Sequence, residues 1–261
     1  MKKLISFTIK AEKGFLKKPD INEGIYLTYN MLHKPALLGI LGAIIGLEGY
    51  QKNEELPEYY KKLKDIPVGI APVGAEKGNF QKTKITYNNT TGMASNEAGG
   101  NLIITEQTLI KPAYKIYLLL DLEDENQKIL YNNIKEQKAE YLPYLGKNDY
   151  SLWWEKEDVV EYDEWHPFEK NKNFSISTLF KKDEAIVNYI AKAMGRKALA
   201  QQKNSFNYFE RLPIDFNKKL YQYNYADFVF SNVIFEEEVK VNSSNLYQAI
   251  KDGKTEIIFL Y

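Results

Sequence analysis

A chain of 261 residues is long enough to bury a substantial core, as one large domain or as a domain with an extension. It has no cysteine, which excludes a disulfide framework and thiolate metal sites. Its 35 Lys and Arg balance 35 Asp and Glu, so it is not a uniformly basic chain of the kind that phosphate binding favours.

The charge is unevenly spread. Residues 1–34 hold seven lysines against three acids, and residues 155–169 hold seven acids against one lysine. That asymmetry fits an RNA-facing side opposed to a protein- or solvent-facing side, and fits equally well two ordinary solvated faces. The 20 Tyr, 13 Phe and 3 Trp include the residue types that stack on unpaired bases. Most such rings belong to cores, strands and protein contacts.

Residues 4–9 alternate with the period of a half-buried strand. The N-terminus lacks the apolar core of a signal peptide, and the longest weakly polar run, 35–47, is short of the ~20 residues needed to span a bilayer. A soluble, cytoplasmic protein is expected. Residues 10–23 read as a lysine-rich loop. A helix is expected from Pro35, whose missing N–H costs nothing in a first turn, to about Leu47. It carries Gly39, Gly42 and Gly46, each about 1 kcal/mol worse than alanine inside a helix, so close backbone packing is expected there. A short helix at 57–63 and a strand at 68–73 follow.

Residues 80–87 and 102–110 alternate as the arms of a hairpin. Its tip, 88–101, is almost free of large side chains, as functional or disordered loops are. A strand at 114–120 and a helix at 125–140 come next, the helix acidic at its start and basic later as its dipole favours. Strand, helix, strand, hairpin, strand, helix approximates the βαββαβ order of an α+β, ferredoxin-like domain, which is also the RRM-like skeleton of RNA-recognition domains. Its last strand falls at or after Tyr141. The expected organisation is a domain over 1–150 with a thumb hairpin at about 80–110, then a β-rich extension over 151–261. The extension has a helix near 184–200 and its clearest strands at 221–235 and 256–261.

Four groups are candidates for contact with RNA. Tyr29, Asn30, His33 and Lys34 lie at a helix N-terminus, which attracts phosphate; alternatively His33 simply caps the helix. Lys10, Lys13, Lys17 and Lys18, with Phe15 as a stacking ring, form either a phosphate track or a solvated loop. Lys82 and Lys84 on the hairpin, and Met93 at its tip, could lie beside a base or a neighbouring subunit. Lys147 and Asn148 follow Gly146 in a segment that could hold a phosphate, or is a plain turn. No metal is expected: there is no HExxH motif, no Cys cluster, and only two distant histidines. No cofactor motif is present.

Five blocks, in order, carry a resemblance. Phe7-Thr-Ile-Lys-Ala-Glu-Lys-Gly-Phe15, with Lys18-Pro-Asp-Ile-Asn22, leads into the segment 25–47. Pro57-Glu-Tyr-Tyr-Lys-Lys-Leu63, Ala98-Gly-Gly-Asn-Leu102 and Tyr141-Leu-Pro-Tyr-Leu-Gly-Lys-Asn-Asp149 follow. Together they resemble the type I-B branch of CRISPR-associated protein family five, well over 1–150 and loosely beyond. The resemblance implies a RAMP-superfamily, ferredoxin-like domain with a protruding β-hairpin thumb. It implies a Cascade subunit that caps the 5′ handle of the guide RNA (crRNA) in antiviral defence. Its partners would be the backbone and large subunits, with target DNA reached only indirectly and no membrane. In that branch a separate ribonuclease processes the guide, so no enzymatic activity is expected. The type I-C relatives cut with Tyr, Lys and His, whereas Tyr114-Lys115 here is followed by Ile116. Two alternatives stand beside this reading: a metal-independent endoribonuclease using Tyr29, His33 and Lys34, and a protein-interaction module without direct RNA contact.

Overall fold

The computed structural model describes residues 1–21, 24–88, 102–169, 173–182, 205–237 and 244–261. The longer elements in chain order are β1 (Lys2–Ala11), α1 (Lys34–Ile45), α2 (Glu58–Leu63), β2 (Val68–Pro72), β3 (Lys82–Asn88), β4 (Ile103–Ile110), β5 (Ala113–Asp121), α3 (Glu125–Glu136), β6 (Asn207–Asn217), β7 (Gln222–Ser231), β8 (Leu246–Lys251) and β9 (Lys254–Phe259). The expected helix at 184–200 lies outside the described residues. So does the hairpin tip beyond Asn88.

The architecture is mixed α and β, rich in strands. The central sheet runs β2, β5, β1, with β1 paired on its other side to Leu152–Trp153 and Val160–Glu161. All these neighbours are antiparallel. The pairing of β1 with β5 is long, from Lys2 opposite Asp121 to Lys10 opposite Ala113. The strands that complete this sheet at its far edge therefore come after residue 150. They are two residues each, too short to leave an alternating pattern in the sequence.

Both ends of α1 follow from local chemistry. His33 Nδ1 accepts from the Ala36 N–H at 3.3 Å, Pro35 sits in the first turn, and Gly46 closes the helix in the left-handed region at φ 76°. Leu37, Leu38, Leu41 and Ile44 are fully enclosed against the sheet. A Cβ at Gly42 would overlap the Tyr59 side chain of α2, so the expected close packing is real at that position. Helix α3 was expected to reach residue 140. It stops at Glu136 because Gln137 turns left-handed, at φ 57°. The freed segment returns to α1, where Glu140 and Tyr141 donate their N–H groups to the carbonyls of Ile44 and Ala43 at 3.2 and 3.0 Å.

Strand β1 is buried on both faces rather than one. Ile5, Phe7 and Ile9 face the main core, while Leu4 packs with Tyr117 and Leu119 against Ala249, Ile258 and Leu260. The hairpin of β8 and β9 thus covers the reverse face of the sheet. The expected loop at 10–23 is also more ordered than its composition suggests. Lys13–Gly14 pairs with β4, and Leu16–Lys17 pairs with Thr28–Tyr29. The edge of β4 offers unpaired backbone groups, and the short strand satisfies them. The β3–β4 hairpin pairs from Lys82 opposite Leu109 to Asn88 opposite Ile103.

The two long strands β6 and β7 form a ribbon that reaches back to residue 30. The Glu210 carboxylate accepts from the Asn30 and Met31 N–H groups at 3.1 and 2.9 Å. Lys18 lies 3.4 Å away, and the Glu210 side chain is 7% exposed. Glu210→Ala should lower the unfolding free energy by about 2–4 kcal/mol, since two enclosed donors lose their acceptor. Urea unfolding checks this. A loss below about 0.5 kcal/mol, the range of neutral surface changes, would show that the contact does not tie the ribbon to the domain.

Candidate nucleic-acid interface

The residues expected at the helix N-terminus are brought together, but in the interior. His33 is 4% exposed, caps α1 through Nδ1, and stands edge-on to the rings of Tyr29 and Tyr223 at 5.2 and 5.7 Å. Burial lowers its pKa to about 3, so it is neutral at neutral pH and carries no charge toward phosphate. Asn30 spends its side chain inside the fold: Nδ2 donates to the Gly78 carbonyl at 2.8 Å, and Oδ1 accepts from Phe80 N–H and Lys82 Nζ, both at 2.9 Å. Lys34 Nζ donates to the main-chain oxygen of Tyr261 at 2.7 Å. Tyr29 and Phe15 are buried as well. The arrangement around His33 is the capping alternative rather than an open phosphate grip.

The lysines divide into engaged and open ones. Lys10 pairs with Asp158 at 2.6 Å, Lys18 with Glu210, and Lys82 donates to Asn30 and Asn79. Lys147 pairs with Glu106 at 2.8 Å and lies over the Tyr87 ring at 4.1 Å. Burial opposes its charge, but Glu106 and Tyr87 outweigh that and raise its pKa. Lys17 lies over Tyr26 at 3.9 Å. Lys13, Lys84 and Asn148 are exposed, and neither Lys13 nor Lys84 has an ion pair among the described residues. Met93 lies outside the described residues.

What the motifs do build is a cavity of about 530 Å³ on the glycine face of α1. Its walls are Leu16 from the lysine-rich segment, Pro35, Ala36 and Gly39 from α1, Tyr59 from α2, and Tyr141, Tyr144 and Gly146 from the segment after α3. Tyr50 and Tyr223 complete it. Tyr50 is 62% exposed, Tyr141 50% and Tyr144 44%, beside Leu142 at 71%. Gly39 leaves the helix wall bare, with the Tyr59 ring 3.7 Å from where a Cβ would stand. Gly146 is at φ 92°, and a Cβ there would overlap the Phe15 carbonyl oxygen, so the turn and the lysine-rich segment meet only through glycine.

A concave surface with exposed tyrosines, no charged wall residue and Lys17 one residue from its edge can hold a flat apolar ring by stacking. The five tyrosines of the cavity, Tyr50, Tyr59, Tyr141, Tyr144 and Tyr223, were not singled out as site residues from the sequence. The signal that could have found them is the i, i+3, i+7 spacing of Gly39, Gly42 and Gly46, which clears one helix face, together with the tyrosines of the blocks at 57–63 and 141–149.

No family model and no curated protein matches the chain. Among solved structures it is similar to a CRISPR protein from Archaeoglobus fulgidus, at 12% identity over 98% of each chain with a TM-score of 0.45. It is similar to a chain of a CRISPR RNA-guided surveillance complex, at 10% identity over 92% of this chain and 94% of that one, TM-score 0.48. A chain of the type III-B Cmr-beta complex bound to cognate target RNA matches at 9% identity over 99% of each chain, TM-score 0.49. At these identities and scores none of them fixes the role of a residue here. Among the described residues no helix is long and apolar enough to cross a membrane.

The buried, neutral His33 makes stability depend on pH. Its folded pKa is about 3 and its unfolded value about 6.5, so the unfolded chain binds the extra proton between them. The stabilisation is complete above about pH 6.5 and falls as pH drops, by at most about 1.4 kcal/mol per unit. Melting temperatures of the wild type and His33→Asn, which keeps a capping side chain, should diverge in slope between pH 7 and 5, with the variant the flatter. Equal slopes would mean that His33 is protonated in the folded protein.

Proposed function

We propose that this chain is a non-catalytic RNA-binding subunit of a type I-B CRISPR Cascade that holds the 5′ handle of the crRNA. The observation that carries the reading is the convergence of the motif blocks. Four of the five blocks that resemble the family either line the tyrosine cavity or end beside it. The strand order supports it further. Helices α1 and α2 lie between β1 and β2 and α3 follows β5, an order compatible with a ferredoxin-like plan. The β3–β4 hairpin is inserted in the chain between β2 and β5, where the family's thumb would fall.

In this reading Tyr144, Tyr141 and Tyr50 stack on unpaired bases, and Lys13, Lys17 and Lys84 supply phosphate contacts. His33, Asn30, Tyr29, Phe15 and Lys147 hold the walls in position. A neutral His33 whose Nδ1 is already occupied is a poor general base, which favours binding over cutting.

The test is binding of a single-stranded oligonucleotide of the repeat's 5′-handle sequence. Tyr144→Ala and Tyr141→Ala should each weaken it by about 1–3 kcal/mol, or roughly 5- to 150-fold in Kd. Lys13→Ala with Lys17→Ala should flatten the salt dependence by about 0.7 per lost phosphate contact. Unchanged affinity and slope in all of these would leave the protein-interaction alternative. Incubation with repeat RNA, with and without divalent metal, should give no site-specific product. A cut abolished in His33→Ala would instead establish the endonuclease.

A further inference from the structure

On the other side of α1 lies a second cavity, of about 420 Å³, that shares no lining residue with the tyrosine cavity. We propose that it binds the phosphoryl group of a nucleotide, with the lysines on its rim holding the phosphate and its apolar floor taking the ring. The inference goes beyond the reading above and does not depend on it.

The floor is built from Leu38 of α1, Tyr60 of α2, and Ile214 and Phe216 of β6. It is fixed in place. The rings of Tyr60 and Phe216 meet edge to face at 4.9 Å, and the Phe216 N–H donates to the Tyr60 hydroxyl at 3.1 Å. The rim carries Lys34, Lys64, Lys181 and Lys218 against Asp65 and Asp215. Asp65 stands 3.7 Å from Lys64, and Asp215 accepts from the Asn224 amide at 2.5 Å. Lys181 and Lys218 have no ion pair among the described residues. Four lysines and two carboxylates thus line the rim, with Lys64 already taken up by Asp65.

Lys34 is the most enclosed of the four lysines. It is 9% exposed and donates to the main-chain oxygen of Tyr261, the last residue of the sequence. Burial pulls its ammonium down to about 8; Asp65 and Asp215 oppose that, and Lys181 adds to it. Beside it Tyr261, which also lines the cavity, has an enclosed hydroxyl with no hydrogen-bond partner among the described residues. A compact multivalent anion satisfies several lysines at once. An aromatic floor of this size fits a small ligand with a ring, and the nucleotide combines the two.

The source of the phosphoryl group is either a free mononucleotide or a residue of single-stranded RNA, and the experiment separates them. Titration calorimetry with AMP and with an oligoadenylate compares wild type, Lys181→Gln/Lys218→Gln and Tyr144→Ala. Both lysines are exposed, so the double variant should fold. Saturable AMP binding weakened about tenfold or more in the double variant, and unchanged in Tyr144→Ala, supports a free-nucleotide site. Weakening of the oligoadenylate alone supports an RNA phosphate. If neither probe is weakened by the lysine changes, the proposal is overturned, even where Tyr144→Ala shows that the tyrosine cavity binds RNA.

Discussion

The fold turns on the backbone at Asn30 and Met31. Their N–H groups point at the Glu210 carboxylate, the Asn30 side chain reaches Gly78, Phe80 and Lys82, and the Asn30 carbonyl accepts from the Tyr114 hydroxyl at 2.6 Å. One residue therefore joins the strand before α1, the turn before the hairpin, the central strand β5 and the C-terminal ribbon. An enclosed cluster of this kind has few arrangements that satisfy every donor. It fixes where α1 begins, and so fixes the walls of both cavities on either side of that helix.

What could be read from the sequence was local. Pro35 marked the start of α1, an acidic start followed by lysines marked α3, and period-two alternation marked β1 and the hairpin arms. These signals need only the residue and its near neighbours. What could not be read depends on distant segments. The Leu4 face of β1 looked half-polar, and it is buried because β8 and β9, more than 240 residues later, lie on it. The polar look of Asn30, His33 and Lys34 suggested a ligand, whereas each meets a partner inside the chain. A buried polar residue and a binding residue have the same letters; burial separates them.

The glycines of α1 show the converse. As helix residues they read as a packing device, and Gly42 is one, filled by Tyr59. The neighbouring Gly39 is left partly open, and the same face that packs at one turn becomes a cavity wall at the next. Periodicity identifies a cleared face but not what fills it. Here the tyrosines come from three other segments, at 50–59, 141–144 and 223, and none of them is distinguished by type in a chain with 20 tyrosines.

The charge pattern resolves in the same way. The lysine-rich start and the acidic run at 155–169 looked like two faces for two partners, and in part they are partners of each other. Lys3 pairs with Glu161 at 2.9 Å and Lys10 with Asp158 at 2.6 Å, along the edge where the acidic run pairs with β1. Lys135, and after it Lys3, holds the Glu161 carboxyl down to about 2. Lys251 meets Asp163 at 3.0 Å. Part of the lysine-rich start is therefore paired locally with the acidic run, where exposed pairs add little stability but remove those lysines from the pool available to phosphate. Among the described residues, Lys13, Lys17 and Lys84 on one part of the surface and Lys181 and Lys218 on another have no ion pair. A net charge of zero is thus compatible with two separate anion-attracting surfaces, because the acids are placed where they neutralise different lysines.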